Sequence, residues 1–251
     1  MAKDFTRLSA QGTIAQPADQ ATFDVGLRKH MLSVYNYMAS GLALSGIVAL
    51  LIFSVPSINA LFYALNPATG RVGFTMLGLI GMFAPLGLLF LAMFTYNRMS
   101  AATAQAFYWA FVALQGIGLS VLLYRYTGES VTRVFFITAA AFAGLSLYGY
   151  TTKRSLSAIG SFLVMGLIGL VIASIVNIFL ASSGLSFIIS IAGVLIFAGL
   201  IAYDTQTIKE QYAENWDGST QTKVAIMGAL ALYLNFINLF QFLLSILGNR
   251  N

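Results

Sequence analysis

One carboxylate interrupts a long apolar stretch of the chain. No residue between Ser155 and Tyr203 carries a charge, and Asp204 then appears within the segment AYDTQTIK, shortly before Lys209. A carboxylate at such a place can bind a cation, exchange a proton or pair with a basic side chain. It can equally mark the point at which a helix leaves the lipid. The sequence around Asp204 is compatible with both the functional and the interfacial interpretation.

The apolar run nearest the C-terminus carries a second set of polar groups. Asn235, Asn238 and Gln241 recur at every third position, which places them on one broad face of an α-helix. Amides inside a membrane need hydrogen-bond partners, so this face should point toward protein or water rather than lipid. We expect a helix with such a face to lie at the centre of the others, although simple hydrogen bonds between helices would also explain these amides.

A basic residue is expected at the same membrane face as Asp204. Arg98 follows the second apolar run in the segment FTYNRMS, and the second and sixth runs cross the membrane in the same direction. An arginine close to Asp204 would keep the carboxylate ionised. Arg98 would also be expected at this place if it served only to orient the chain in the membrane.

The elements that must position these residues are membrane helices. The chain has 251 residues, of which 59% are hydrophobic and 8% are charged, whereas soluble domains carry about 25% charged residues. The fold class is therefore predicted to be all-α: a polytopic membrane protein with seven transmembrane helices and the seventh at the centre. Residues 1–29 are predicted to form a flexible cytoplasmic tail, and residues 30–251 one transmembrane domain. The seven apolar runs cover approximately residues 31–53, 72–95, 102–124, 131–151, 156–180, 185–207 and 223–247.

The distribution of lysine and arginine predicts the orientation of the chain. With a cytoplasmic N-terminus and an external C-terminus, more basic residues lie inside than outside, as the positive-inside rule requires. Short loops and the lack of a targeting signal fit a bacterial inner membrane, and an organelle membrane remains an alternative. The inner segments hold Lys3, Arg7, Arg28, Lys29, Arg98, Lys153, Arg154, Lys209 and Lys223, and the outer segments hold Arg71, Arg125, Arg133 and Arg250.

The residues that the chain lacks argue against several classes of function. Without cysteine there is no thiolate metal site and no cysteine nucleophile. The single histidine, His30, lies at the edge of the first apolar run, which argues against a serine–histidine dyad within the membrane, and no HExxH motif is present. We therefore expect no enzyme activity and no cofactor. The basic residues lie at helix ends, where lipid headgroups explain them, so the lipid bilayer and not a nucleic acid is the expected partner.

Two segments together resemble the Bax inhibitor family of small seven-span membrane proteins. They are AYDTQTIK at the end of the sixth run and ALYLNFINLFQFLL in the seventh, and the resemblance covers about residues 30–247. It implies a seventh helix wrapped by the other six and, for bacterial members, a pH-sensitive calcium leak through a closable pore. The pair of aspartates that senses pH in the family maps onto Asp204 and Asn235. The basic residue that can latch the first aspartate maps onto Arg98.

Asn235 departs from the family pattern, because the second sensor position is an amide. Two neighbouring carboxylates can share a proton, whereas an Asp–Asn pair has a single titrating group. The amide oxygen can still ligate calcium, so Asp204 is a weak calcium candidate. The resemblance thus implies a calcium or other cation leak with a weakened sensor. The alternative that it implies is an interaction protein that modulates a membrane-bound, ATP-dependent protease, or a stress response, through its N-terminal tail.

Overall fold

The fold is built almost entirely of membrane-length helices. The computed structural model describes residues 17–65, 72–95 and 98–251, with side chains from residue 24 onward. Within these ranges it contains eight helices and one two-stranded sheet, and seven of the helices are long and apolar enough to cross a membrane. The predicted all-α membrane protein with seven spans is confirmed. Lys3 and Arg7 of the tail, and Arg71, lie outside the described residues.

Several of the helices begin directly after a residue whose side chain caps them. The side chains of Ser100, Thr127, Ser182 and Asp217 each accept a hydrogen bond from a backbone N–H in the first turn that follows, which satisfies a group that the helix itself leaves unpaired. Along the chain the elements are α1 (Pro17–Ser54), α2 (Pro56–Phe62), β1 (Tyr63–Leu65), β2 (Val72–Phe74), α3 (Met76–Thr95), α4 (Ala101–Arg125), α5 (Gly128–Thr151), α6 (Ser157–Leu180), α7 (Ser183–Glu210) and α8 (Gly218–Leu247).

The first helix begins well before the first apolar run. α1 starts at Pro17, so residues 17–29 continue the helix of the first span on its N-terminal side. Leu27 and Met31 are buried in the core and anchor this extension, while Asp24, Arg28 and Lys29 remain exposed. The boundary at residue 29 and the flexibility of the tail stay predictions.

The predicted start of the second span at residue 72 is wrong. Val72–Phe74 forms β2, which pairs antiparallel with β1 so that Tyr63 faces Phe74, and α3 begins only at Met76. Two contacts stabilise this hairpin: the Tyr63 hydroxyl lies 2.8 Å from Ser120 Oγ on α4, and its ring packs against Phe74. The Thr75 hydroxyl then accepts a hydrogen bond from the Gly78 N–H at 3.0 Å and so caps α3.

The last helix, α8, lies at the centre, as predicted. It is the most buried of the seven spans, and it packs against α1, α4, α5 and α7. The remaining two spans lie further out, since α3 packs on α4 and α6 packs on α7. A polar contact joins three helices in the core, because the Ser45 hydroxyl of α1 lies 2.6 Å from the Tyr233 hydroxyl of α8 and 2.6 Å from the Val112 carbonyl of α4.

Candidate functional site

Asp204 and Asn235 meet where α7 packs against α8. Asn235 Nδ2 donates a hydrogen bond to Asp204 Oδ2 at 2.6 Å. Asn235 is buried, and Asp204 is half-buried. The structure thus brings together the two residues that the resemblance pairs, and it turns the amide nitrogen, not the amide oxygen, toward the carboxylate.

A pocket of about 320 Å³ opens beside the Asp204 carboxylate. It lies between α7 and α8 at the end where residues 211–217 join them. Asp204 supplies the charge of the pocket, and the other lining side chains are neutral. A cation or a proton can therefore reach one carboxylate from this side. The lining residues are Asp204, Thr207, Ile208, Gln211, Trp216, Val224, Met227, Gly228 and Ala231.

The oxygen atoms near Asp204 suit a passing cation better than a tightly held one. Calcium takes about six to eight oxygen ligands, and no group of three or more His, Cys, Asp or Glu side chains converges in the described part of the chain. Thr207 and Gln211 offer neutral oxygens in the same pocket. The Asn235 oxygen could join them only if the amide turned over and gave up its bond to Asp204. The role of Asp204 as a calcium ligand stays a prediction.

Among the described residues, Arg98 forms no hydrogen bond or ion pair with Asp204. It is exposed and lies between α3 and α4. α3 packs against α2 and α4, whereas α7 packs against α5, α6 and α8. In this conformation the partner of Asp204 is Asn235, and the latch between Asp204 and Arg98 stays a prediction.

The amides on the predicted polar face of α8 do not share one partner. Asn238 is half-buried, and its Nδ2 donates to the Leu234 carbonyl of its own helix at 2.8 Å. Gln241 is half-buried one turn nearer the C-terminus. Of the three predicted amides, Asn235 is therefore the one that contacts Asp204.

A chain of hydroxyl groups next to Asp204 was not predicted from the sequence. Thr205 Oγ1 lies 3.0 Å from Ser146 Oγ on α5, and Ser146 Oγ lies 2.6 Å from the Tyr35 hydroxyl on α1. Thr205 and Ser146 are buried. These bonds join three helices at the level of the site. A hydroxyl side chain in each of three apolar runs was the available signal, but the pairing could not be read from it.

The contacts of Gln206 and Lys209 were not predicted either, and they hold the end of α5 and its connection to α6. Gln206 Nε2 donates to the Arg154 carbonyl at 2.9 Å, and its Oε1 accepts from the Leu156 N–H at 2.7 Å. Lys209 Nζ donates to the Tyr150 carbonyl at 2.8 Å. The residues that follow Asp204 in the AYDTQTIK segment thus fix α7 against its neighbours, so the backbone that carries the carboxylate is held in place.

Comparison with known proteins gives a consistent result over nearly the whole chain. The model of the family described as "Inhibitor of apoptosis-promoting Bax1" matches residues 27–251. An uncharacterized protein of Caulobacter vibrioides is 51% identical, over 98% of each chain. The uncharacterized protein RP147 of Rickettsia prowazekii is 47% identical, over 95% of this chain and 97% of its own. The inner membrane protein YbhL of Escherichia coli is 39% identical, over 97% of this chain and 99% of its own.

Proposed function

The chain belongs to the Bax inhibitor family of integral membrane proteins, and from that premise we propose that it is a cation leak pathway in which Asp204 forms the gate. Calcium is the cargo that the family resemblance implies. The observation that carries the proposal is the Asp204–Asn235 hydrogen bond beside an open pocket. An ionisable group that faces a cavity inside a membrane protein is a typical place for an ion or proton path.

The proposed gate works by an exchange of partners. In the closed state Asp204 is bound to Asn235, and the side chains of α8 around Tyr233 and Phe236 are fully packed. An arriving cation competes with the Asn235 amide for the carboxylate, and Arg98 is the proposed alternative partner in another conformation. Since the pair contains one carboxyl group, protonation changes its charge by a single unit, and the response to pH is weaker than that of two coupled aspartates.

We place the protein in a bacterial inner membrane with a cytoplasmic N-terminus. The E. coli relative is named an inner membrane protein, which supports this location. Seven spans put the two termini on opposite faces, and the distribution of lysine and arginine favours the N-terminal face as the cytoplasmic one. The Asp204 pocket then opens toward the cytoplasm.

Calcium flux through purified protein tests the proposal. Liposomes that contain a calcium-sensitive dye should fill faster with the natural protein than without it, and Asp204→Ala should remove most of that difference. Glu210→Ala is the matched control, because Glu210 is an exposed acid at the end of the same helix. No flux above empty liposomes, or equal losses from the two variants, would contradict the proposed gate.

A second function, modulation of a membrane-bound protease, is favoured by the N-terminal part of α1. This helix continues beyond the apolar run as far back as Pro17, and Val25 on it is 70% exposed. A helical extension outside the apolar run, with an exposed apolar side chain on it, is available to a partner protein. Deletion of residues 1–16 and the change Val25→Ser should then abolish an effect on proteolysis and leave calcium flux unchanged. A protease effect that survives both changes would contradict this function.

A further inference from the structure

A groove between α1 and α5 opens at the membrane face that carries the N-terminus. Its volume is about 470 Å³, and its apolar walls include Leu32 of α1 and Phe142 and Leu147 of α5. Arg28 lines the groove near its end, and the other lining residues are neutral. Sites for small ligands commonly have volumes of about 300–1,000 Å³, so the groove is large enough to hold one.

The two helices that line the groove each pack mainly on other helices. α1 packs mainly on α4 and α8, and α5 packs mainly on α7 and α8. Between α1 and α5 the Tyr35 side chain spans the gap, and its hydroxyl lies 2.6 Å from Ser146 Oγ. Ala143 is exposed on the wall of the groove, where a larger residue would fill the space.

Arg28 lies at the depth of the lipid headgroups. The first apolar run begins at about residue 31, so the hydrocarbon layer starts near this position on α1. Arg28 lies three residues earlier, which is about 4.5 Å along the helix axis and within the headgroup layer. A guanidinium group there can bind a phosphate through two parallel hydrogen bonds.

We propose that this groove binds an anionic phospholipid, with the phosphate on Arg28 and one acyl chain against Leu32, Phe142 and Leu147. Basic pockets between transmembrane helices bind such headgroups at the cytoplasmic side of membranes. A helix of a second chain is the less suitable occupant, because it would cover Arg28 without an acid on this groove to pair with it. The acyl chain would lie against Tyr35, whose hydrogen bonds lead through Ser146 to Thr205 beside Asp204.

Native mass spectrometry of the full chain, released from detergent, tests the site. The probes are a phosphatidylglycerol and a phosphatidylcholine with the same acyl chains. We expect phosphatidylglycerol to bind more tightly, and Arg28→Gln to weaken it about fivefold, the effect of one basic residue near an anionic surface. Ala143→Phe should fill the groove and displace both lipids.

Two control variants separate the groove from the rest of the surface. Lys153→Gln removes an exposed positive charge next to α5 at the same membrane face, and Gly144→Phe adds the same bulk next to Ala143, at a position with open space around it. Both controls should bind phosphatidylglycerol like the natural protein, and thermal unfolding should show that all four variants are folded.

Three results would overturn the proposal. They are equal binding of the two lipids by the natural protein, equal losses in the control variants, and a dimer that Ala143→Phe dissociates while lipid binding persists. The third result would assign the groove to a second copy of the chain. Because the measurement detects bound lipid and not ion flux, its outcome is independent of the proposed leak.

Discussion

At the scale of single residues, the segment around Asp204 combines the bond to Asn235 with several bonds to neighbouring elements. In the proposed gate, the bond between Asp204 and Asn235 is the one that a cation replaces. Thr205 and Gln206 beside it are buried, and they bind α5 and the connection that follows it. In the proposed gate the carboxylate changes partners, while these neighbouring contacts hold the backbone of α7.

Thr205→Val should lower stability more than Thr207→Val. Each threonine donates to a carbonyl of its own helix four residues back, but Thr205 also bonds Ser146 on α5. The difference between the two variants therefore measures the contact between helices, which we expect to be about 0.6–1.7 kcal/mol. Unfolding of the detergent-solubilised protein measures it. Equal losses would mean that the Ser146 contact contributes nothing.

The sequence predicts the position of the site better than its contacts. The family motif pairs Asp204 with Asn235, and the two residues do meet. The bond of Gln206 to Leu156 joins positions 50 residues apart, and no local pattern encodes such a distance. For Asn238 the predicted position on α8 did not reveal the partner, because its amide donates a hydrogen bond to the Leu234 carbonyl of its own helix.

At the scale of the helices, α5 and α7 approach closely just before the site. A Cβ atom on Gly149 would lie 2.2 Å from the Ala202 carbonyl oxygen, whereas a Cβ atom on Gly144 would meet nothing within 4 Å. Both glycines lie in α5. The contact therefore depends on one glycine, and the other is free to change.

Gly149→Ala should destabilise the protein, and Gly144→Ala should not. The added methyl group at residue 149 must push α5 away from α7, which costs about 1–3 kcal/mol. At residue 144 the same change removes a flexible glycine from a helix and should be neutral or stabilising by about 0.5–1 kcal/mol. Thermal unfolding of the two variants in one detergent provides the comparison. A stable Gly149→Ala variant would show that the helices are not held at this distance.

The cap of α8 gives a pH dependence with a defined sign. Hydrogen bonds from the side chain and the backbone N–H of Thr220 hold the pKa of Asp217 below its usual range. A pKa that is lower in the folded state stabilises the fold at neutral pH, and this contribution is lost as the pH falls through the folded pKa. Asp217→Ala should lower the melting temperature at pH 7, and the difference should shrink below about pH 4.

Ser182→Ala is the matched control for this pH dependence. Ser182 caps α7 with a hydroxyl group that does not titrate, and it accepts from the Leu185 N–H. Its loss should lower the melting temperature by the same amount at pH 7 and at pH 3. If the effect of Asp217→Ala were equally constant, the charge of the cap would have no role.

The spans could be predicted because each is a long apolar run, but the hairpin before α3 could not. Each of its strands has only three residues, which is too short for a recognisable alternation of side chains. The residues from Val72 onward also continue without a break into the apolar run of α3. The contact that anchors the hairpin, from Tyr63 to Ser120, spans 57 positions of the chain and leaves no local signal.

At the scale of the whole molecule, the orientation decides which compartment the Asp204 pocket faces. α8 begins near the pocket and ends at the opposite face, where its C-terminal carbonyl at Leu247 accepts a hydrogen bond from Arg133. The pocket and the start of α1 lie at the same face, since the chain crosses the membrane six times between the start of α1 and the end of α7. A cytoplasmic N-terminus therefore means a cytoplasmic pocket.

Single cysteines can test the orientation, because the natural chain has none. Glu129→Cys lies at the start of α5 and Glu214→Cys lies between α7 and α8, and both glutamates are exposed. A membrane-impermeant maleimide should label Glu129→Cys in intact spheroplasts and Glu214→Cys only after permeabilisation. The reverse pattern would place the N-terminus and the Asp204 pocket outside.

The central claim is that Asp204 and its partner on α8 form the gate, and the pH profile of calcium flux in Asn235→Asp liposomes tests it most directly. Two carboxylates at hydrogen-bond distance hold a proton between them, so this variant should gain a steep change in flux between pH 6 and 8 that the natural protein lacks. Asn238→Asp, which faces its own helix, should keep the natural profile. An Asn235→Asp profile identical to the natural one would contradict the gate.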